Sequence, residues 1–382
     1  MRDTFLPYGH QWIDDKDIER VVEVLKGDWI TTGPKIKEFE DAICRYVGGK
    51  YGVAVNSGTS ALDIAVTALE LDGGEIITTP FTFVATANAI LYNGLKPVFA
   101  DIQRDTCNID PEEIRKKITP KTRAIIYVDY AGQPCDIKEI REIADEHELF
   151  LIEDAAHALG AEYDGKRVGS FADITTFSFH PVKHITTGEG GMCVTGNDGL
   201  AEKMRMLRNH GIDKDAHKRF GPSASWSYDL KMLGRNYRMT DIQAALGLSQ
   251  LGRLEDFIAR RSEIAKLYYK ELSNLSEVVL PHVKPNVRHV WHLYTIQVEG
   301  VDRDRFFTGM RTRNIGVNVH YIPVYKFSYY RNFKLEAVFP VTEQTFSRIV
   351  TLPLFPKMTD VDALNVVTAI RETIREEQME LK

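Results

Sequence analysis

The sequence predicts an α/β domain on a mainly parallel sheet, followed by a smaller C-terminal α+β domain. Between Tyr51 and His157, short runs rich in Val, Ile, Phe and Tyr alternate with amphipathic helical stretches. That is the pattern of crossover helices covering both faces of a parallel sheet. After about residue 250 the alternation gives way to helices mixed with isolated strands. A chain of 382 residues also exceeds one ordinary core. The large domain is therefore expected over 1–250 and the small one over 251–382, with the N-terminal segment free to pack on the small domain.

Taken in order, residues 14–27 read as a helix with Ile18, Val21, Val22 and Leu25 on one stripe and Gly27 as the stop. A turn leads to a second helix carrying Ile36, Phe39, Ile43 and Val47. YGVAV is a strand that ends in Asn56-Ser57-Gly58 and opens a helix with Leu62, Ala65, Val66 and Leu69 inward. The strands EIITTP, KPVFADI, RAIIYVDY and FLIEDAA then alternate with the helices VATANAILYNG, PEEIRKKI and IKEIREIADEHE. ITTFSF and GMCVTG are further strands, and 198–210 is a basic helix. The polar stretch 212–228 reads as an irregular loop, mobile or between subunits. Thr240 with Gln243 forms a capping box that starts one long helix. Beyond it, HLYTIQVEG and GVNVHYIP read as strands, and RDRFFTGMRTR, TEQTFSRIV and VDALNVVTAIRETIREE as helices.

Composition narrows the function classes. A net charge of −6 with scattered Lys and Arg leaves no electrostatic footprint for nucleic acid. No apolar run approaches the ~18 residues a bilayer span needs, and the first residues lack a signal-peptide core. Four cysteines lie far apart without a CxxC pair, which gives neither a zinc site nor a disulfide framework. The expectation is a cytoplasmic protein with no metal, no membrane and no nucleic acid. P-loop, strand-linked GxGxxG, HExxH and GxSxG patterns are all absent.

There remains a set of groups at strand ends, where ligands of open α/β sheets gather. Lys183 sits between the run ITTFSFHPV and the Thr-Gly-Glu-Gly-Gly segment. Val182 and Ile185 nearby favour its partial burial, and a buried lysine loses its charge readily and becomes a nucleophile for aldehydes. Taken alone it reads more readily as a surface lysine in a Gly-rich turn. Ser57-Gly58-Thr59-Ser60 opens a helix whose free amides form an anion site; simple capping explains the hydroxyls equally well. Asp154 closes the strand FLIED and points toward the sheet crevice, or caps the run AAHALG after it. Phe83 and His157 have core alternatives. Pyridoxal phosphate uses all of these together: a lysine for its aldehyde, a carboxylate for its ring nitrogen, a phosphate cup and flat groups against the ring. A single strand-turn-strand unit separates Asp154 from Lys183, so neighbouring strands can deliver both to one edge.

The motifs SGTSAL, TTPFTFVATANA, VDYAGQPCDI, EDAAHALGAEY, FSFHPVKHITTGEGG, GRNYRMTDIQAALGLSQL and HYIPVY together resemble the DegT/DnrJ/EryC1/StrS family. Its members are pyridoxal-phosphate nucleotide-sugar aminotransferases of fold type I. The resemblance implies that Lys183 is the Schiff-base lysine and Asp154 the partner of the pyridine nitrogen. It places His157 near the ring and its phenolic oxygen, Phe83 against the ring, and Gly58, Thr59, Ser60 and Ser178 in the phosphate cup. Asn236 corresponds to an asparagine that reaches the phosphate of a neighbouring subunit, which implies a homodimer with shared sites. His320 and Tyr321 fall on a substrate-side motif, and Tyr8 is a further candidate for the sugar site. Within the family the motifs look most like the pseudaminic-acid-pathway transaminases, which move an amino group from glutamate to the C4 ketone of a UDP-4-keto-6-deoxy-N-acetylhexosamine. Another keto-sugar nucleotide (perosamine or bacillosamine type, or amination at C3) stays open. So do a sugar dehydratase, which carries histidine in place of the lysine, and a non-catalytic sugar-nucleotide binder.

Overall fold

A computed structural model describes residues 3–213, 227–333 and 338–380. Most of the polar stretch 212–228 therefore lies outside the described residues. The central sheet contains β1 (Tyr51–Val55), β2 (Glu75–Thr78), β3 (Lys96–Phe99), β4 (Thr122–Val128), β5 (Phe150–Asp154), β8 (Ile174–Ser178) and β9 (Gly191–Thr195). Their spatial order is β1-β9-β8-β5-β4-β2-β3. Only β9 runs against the others, pairing antiparallel with β8 and β1; the remaining pairs are parallel. Between β5 and β8 lies a short hairpin of β6 (Glu162–Tyr163) and β7 (Lys166–Arg167).

Successive strand residues feed opposite cores, which explains the unbroken apolar runs. Ala54, Ile125 and Leu151 join Phe39, Ile43, Ile114 and Ile140 on one face. Val53, Ile126 and Ile152 join Leu62, Val66 and Ile90 on the other. The first face is covered by α2 (Pro34–Val47), α5 (Pro111–Lys117) and α6 (Ile137–Glu146), the second by α3 (Gly58–Ala68) and α4 (Ala85–Tyr92). Helix α1 (Asp15–Leu25) behaves differently: Ile18 and Leu25 are 54% and 56% exposed while Asp17 is buried. Its apolar stripe faces outward because Asp17 is held by Gln250 and Arg253.

The second core surrounds β10 (Val278–Val279), β12 (Tyr294–Val298) and β13 (Ile349–Leu352), an antiparallel sheet in the order β10-β12-β13. Between β10 and β12 the chain returns to the large domain, where β11 (Val287–Arg288) pairs antiparallel with β6. Ile264, Tyr268, Val366 and Ile370 pack in the second core together with Leu6 from the N-terminal segment. The backbone of Leu6 donates to Asn314 and accepts from Gly316.

Three expectations need correcting. The single long helix after Thr240 is two, Asp241–Leu251 and Leu254–Leu272. The break falls at Gly252-Arg253, where the Arg253 guanidinium turns back to the carbonyl of Trp12 and the carboxylate of Asp14. The capping box itself is present, with the Thr240 side chain accepting from Gln243 N and the Gln243 side chain accepting from Thr240 N. GVNVHYIP is not a strand: Asn318 alone pairs with Thr351, Gly316 N goes to Leu6 O, and Tyr130 and the Asn318 side chain bond the residues that follow. The Tyr130 hydroxyl donates to the His320 carbonyl at 2.5 Å, and Val319 N donates to Asn318 Oδ1. Finally, TEQTFSRIV stops as a helix at Arg348, and its β-branched end starts β13.

Candidate active site

The carboxyl ends of β1, β5 and β8 converge on a cavity of about 640 Å³. Lys183 reaches it from the loop joining β8 to β9. That loop is closed at its base by Phe179 N donating to Gly190 O and Thr187 N donating to Phe179 O. The reversal of β9 is thus what returns the chain and holds the lysine at the sheet edge. Lys183 is half-buried. Burial pulls its ammonium down to about 8, against an upward pull from Asp154 and a further downward push from Arg261. His184, the neighbouring residue, turns away: its Nε2 donates to the Val290 carbonyl at 3.0 Å.

Asp154, 4% exposed, ends β5 on the same cavity. Thr86 Oγ1 donates to its Oδ2 at 2.8 Å, and Ala156 N donates to its Oδ1 at 3.2 Å. Burial raises its pKa; the two hydrogen bonds and the Lys183 charge oppose that rise. Nothing in the sequence pointed to Thr86, although its place three residues after Phe83 in the first turn of α4 is a usable signal.

At the end of β1, Ser57 caps α3 by accepting from Ser60 N at 3.1 Å. Ser57, Gly58 and Thr59 line the cavity. The Ser57 cap takes Ser60 N and not the amides of Gly58 and Thr59, which lie in the first turn, where a helix presents its orphan donors and positive end. Ser60 is not in the lining: its hydroxyl donates to Asn56 Oδ1 at 2.7 Å. A side chain at Gly58 would place Cβ 2.8 Å from Cβ of Ser178, the other hydroxyl of this cup. Only glycine lets the helix turn and β8 approach so closely. Phe83, 57% exposed, hangs over the cavity with its ring 6.2 Å from that of Tyr321.

His157 forms the wall behind these groups. Ala131 N donates to its Nδ1 at 3.3 Å, so the proton of the neutral ring sits on Nε2 and is donated to the Tyr321 oxygen at 3.0 Å. Burial and the nearby Lys183 charge hold its pKa well below the usual imidazole value. Tyr8 and His320 also line the cavity, with rings 5.2 Å apart. Asn318 Nδ2 donates to His320 Nε2, and His320 Nδ1 donates to Thr351. Asn236 is exposed and is not part of this lining; its carbonyl accepts from Asn56 Nδ2. His292, which no sequence motif marked, is in the lining with Nε2 3.4 Å from Lys183 Nζ.

The donor set fits pyridoxal phosphate. A poised amine, a tethered carboxylate, an anion cup narrow enough to exclude a Cβ and an exposed aromatic ring share one cavity. Fold and site together define a type I pyridoxal-phosphate transferase. The chain belongs to the DegT/DnrJ/EryC1/StrS aminotransferase family, which it matches over residues 11–371, and it is a pyridoxal-phosphate-dependent sugar aminotransferase. It is 42% identical to the spore coat polysaccharide biosynthesis protein SpsC of Bacillus subtilis, over 98% of each chain. Among solved structures, it superposes on Helicobacter pylori PseC, an aminotransferase involved in pseudaminic acid biosynthesis. That match has a TM-score of 0.91 at 33% identity, covering 98% of this chain and 100% of the other. The PLP-form of the putative sugar aminotransferase Spr1654 from Streptococcus pneumoniae matches with a TM-score of 0.90 at 31% identity, covering 97% and 99%. No helix among the described residues is long and apolar enough to cross a membrane.

Proposed function

We propose that the protein moves an amino group from glutamate to the C4 ketone of a UDP-4-keto-6-deoxy-N-acetylhexosamine in a ping-pong cycle. The observation that carries the chemistry is the meeting of Lys183 and Asp154 in one cavity beside the first turn of α3. The likeness to PseC in fold and in motifs supports the substrate class.

Pyridoxal phosphate, when bound, supplies an electron sink for the electrons released at the donor α-carbon. Asp154 would hold the ring nitrogen in its protonated form, kept in place by Thr86 and Ala156. The amides of Gly58 and Thr59 and the Ser178 hydroxyl would hold the phosphate, and Phe83 would cover the ring. Ser60 serves that cup indirectly, by donating to Asn56. Lys183 would hold the cofactor through its aldehyde carbon and, as the free amine, would take the proton from the donor α-carbon. An amine whose pKa lies near 8 is well matched to that task. Tyr8, His320 and Tyr321 would contact the sugar.

We read Asn236 as reaching the phosphate in a second copy of the chain, a homodimer with shared sites. Ile30 O accepts from Asp241 N, which brings the exposed Trp29 and Ile30 beside the segment of Asn236. Those side chains and the outward stripe of α1 are apolar surface suited to such a partner. The substrates, and four free and buried cysteines, suit the cytoplasm. Against a dehydratase stands the orientation of His184, which bonds Val290 and leaves the cavity to Lys183.

The test is a panel of UDP-, GDP- and TDP-linked keto sugars assayed with glutamate. Amination of the UDP-4-keto-6-deoxy-N-acetylhexosamine at C4 is expected. Preference for a GDP or TDP sugar, or amination at C3, would contradict the substrate assignment.

A further inference from the structure

The cavity lining includes a buried histidine without a task in the proposed cycle. His292 is 4% exposed, and its Nε2 lies 3.4 Å from Lys183 Nζ. Its Nδ1 is buried with no partner among the described residues. Its ring packs between those of His157 (4.2 Å between centroids) and His184 (5.6 Å). The backbone behind it is clamped: the Arg261 guanidinium donates to the carbonyls of Trp291, His292 and Leu354. Gly132, at φ +100°, lies so close to His292 N that a Cβ there would sit 3.0 Å from it. The imidazole is therefore fixed in place opposite the amine.

The tautomer is set by the unpartnered Nδ1. A neutral imidazole carries one N–H, and burying that donor without an acceptor costs more than burying a bare lone pair. The proton belongs on Nε2, the nitrogen that faces Lys183. We infer that His292 is a positioning residue for the reaction: its Nε2–H donates to the lone pair of the Lys183 amine and holds that amine as the free base, aimed into the cavity. An ammonium has no lone pair to receive this bond, so the contact discriminates between the two forms. His292 stays neutral throughout, because burial and the charges of Lys183 and Arg261 disfavour an imidazolium. The other groups that bear on the amine are Asp154 at the end of β5, whose charge acts in the opposite sense, the Arg261 guanidinium, whose charge also favours the free base, and the imidazoles of His157, His180, His184 and His320.

This inference rests on the role proposed for Lys183, but its test does not depend on transamination. Full-length protein freed of cofactor is pulsed with acetic anhydride across a pH series, and acetylation at Lys183 is followed by peptide mass spectrometry. Only the free base reacts. In H292F, which removes the donor, the pH of half-maximal labelling should rise by about one unit, a tenfold loss of free base near neutrality. H292N, a shorter amide that falls short of Nζ, should show the same rise and carries the test should H292F misfold. H292Q, whose amide reaches the Nε2 position, should stay close to the wild type. Profiles of H292F and H292N that superimpose on the wild type, or move to lower pH, would overturn the inference, as would H292Q shifting as far as H292N. Failure of Lys183 to capture pyridoxal phosphate is a separate result and would strike the parent assignment instead.

Discussion

The hydroxyl of Tyr321 and Nε2 of His157 lie 3.0 Å apart, and this contact joins the segment ahead of β13 to the residues just after β5. One group comes from the second half of the chain and the other from the central sheet, so the cavity wall depends on their bond. Tyr321→Phe leaves the buried Nε2–H without an acceptor, which costs about 1–3 kcal/mol. Urea unfolding should show a lower midpoint at unchanged slope. An unchanged midpoint would mean that the pair contributes nothing to the wall.

Asp154→Asn keeps the shape of the side chain and a hydrogen bond from Thr86 while removing the charge. An amide cannot hold a ring nitrogen protonated. The expected outcome is a fall in kcat of about 10- to 100-fold, the worth of a hydrogen bond to a charged group. Bound pyridoxal phosphate, counted by phosphate analysis after gel filtration, should stay near one per chain. Thr86→Ala should act in the same direction with a smaller effect.

Gly58→Ala tests the phosphate cup. Its Cβ would meet Cβ of Ser178 at 2.8 Å, and overpacking of this kind costs roughly 1–3 kcal/mol. The helix turn must move off β8, spoiling the cup for phosphate more than for the ring. Wild-type protein should bind pyridoxal phosphate far more tightly than pyridoxal, and G58A should lose most of that difference. Equal losses for both vitamers would place the phosphate elsewhere.

The pH dependence of stability has a definite sign. Burial, with the Lys183 charge, pushes the His320 pKa down to about 3, whereas the unfolded chain protonates near 6.5. Between those values the unfolded state binds a proton that the folded state refuses. Stability from this group therefore falls as pH falls, by up to about 1.4 kcal/mol per pH unit. Asp154, with its raised pKa, works in the opposite direction, so the comparison is with a variant. His320→Gln should unfold less steeply with acid between pH 6 and 4 than the wild type, as followed by urea midpoints.

The central sheet was legible because both its faces are covered, which leaves continuous apolar strands between amphipathic helices. Asp154, Gly58 and Thr59 could be picked out because polar residues at strand ends in such a sheet have few other places to go. Ser60 lies outside the lining and bonds Asn56; four small polar residues in a row look alike until the helix start fixes which ones face outward. The segment containing His320 and Tyr321 looks like a strand by composition, yet its bonds are made by Tyr130, Thr351 and Asn318. His292 was invisible. It precedes β12, 109 residues from Lys183, and long-range contacts bring it to the amine: the clamp of Arg261 on its backbone and the bonds of Val290 N to Gly132 O and Leu293 N to Ala131 O.

The central claim is that Lys183 is the residue that holds the cofactor. Protein incubated with pyridoxal phosphate, reduced with borohydride and digested should carry the cofactor mass on the peptide containing Lys183, and K183A should carry none. Label on a different lysine, or an equal yield in K183A, would contradict the account.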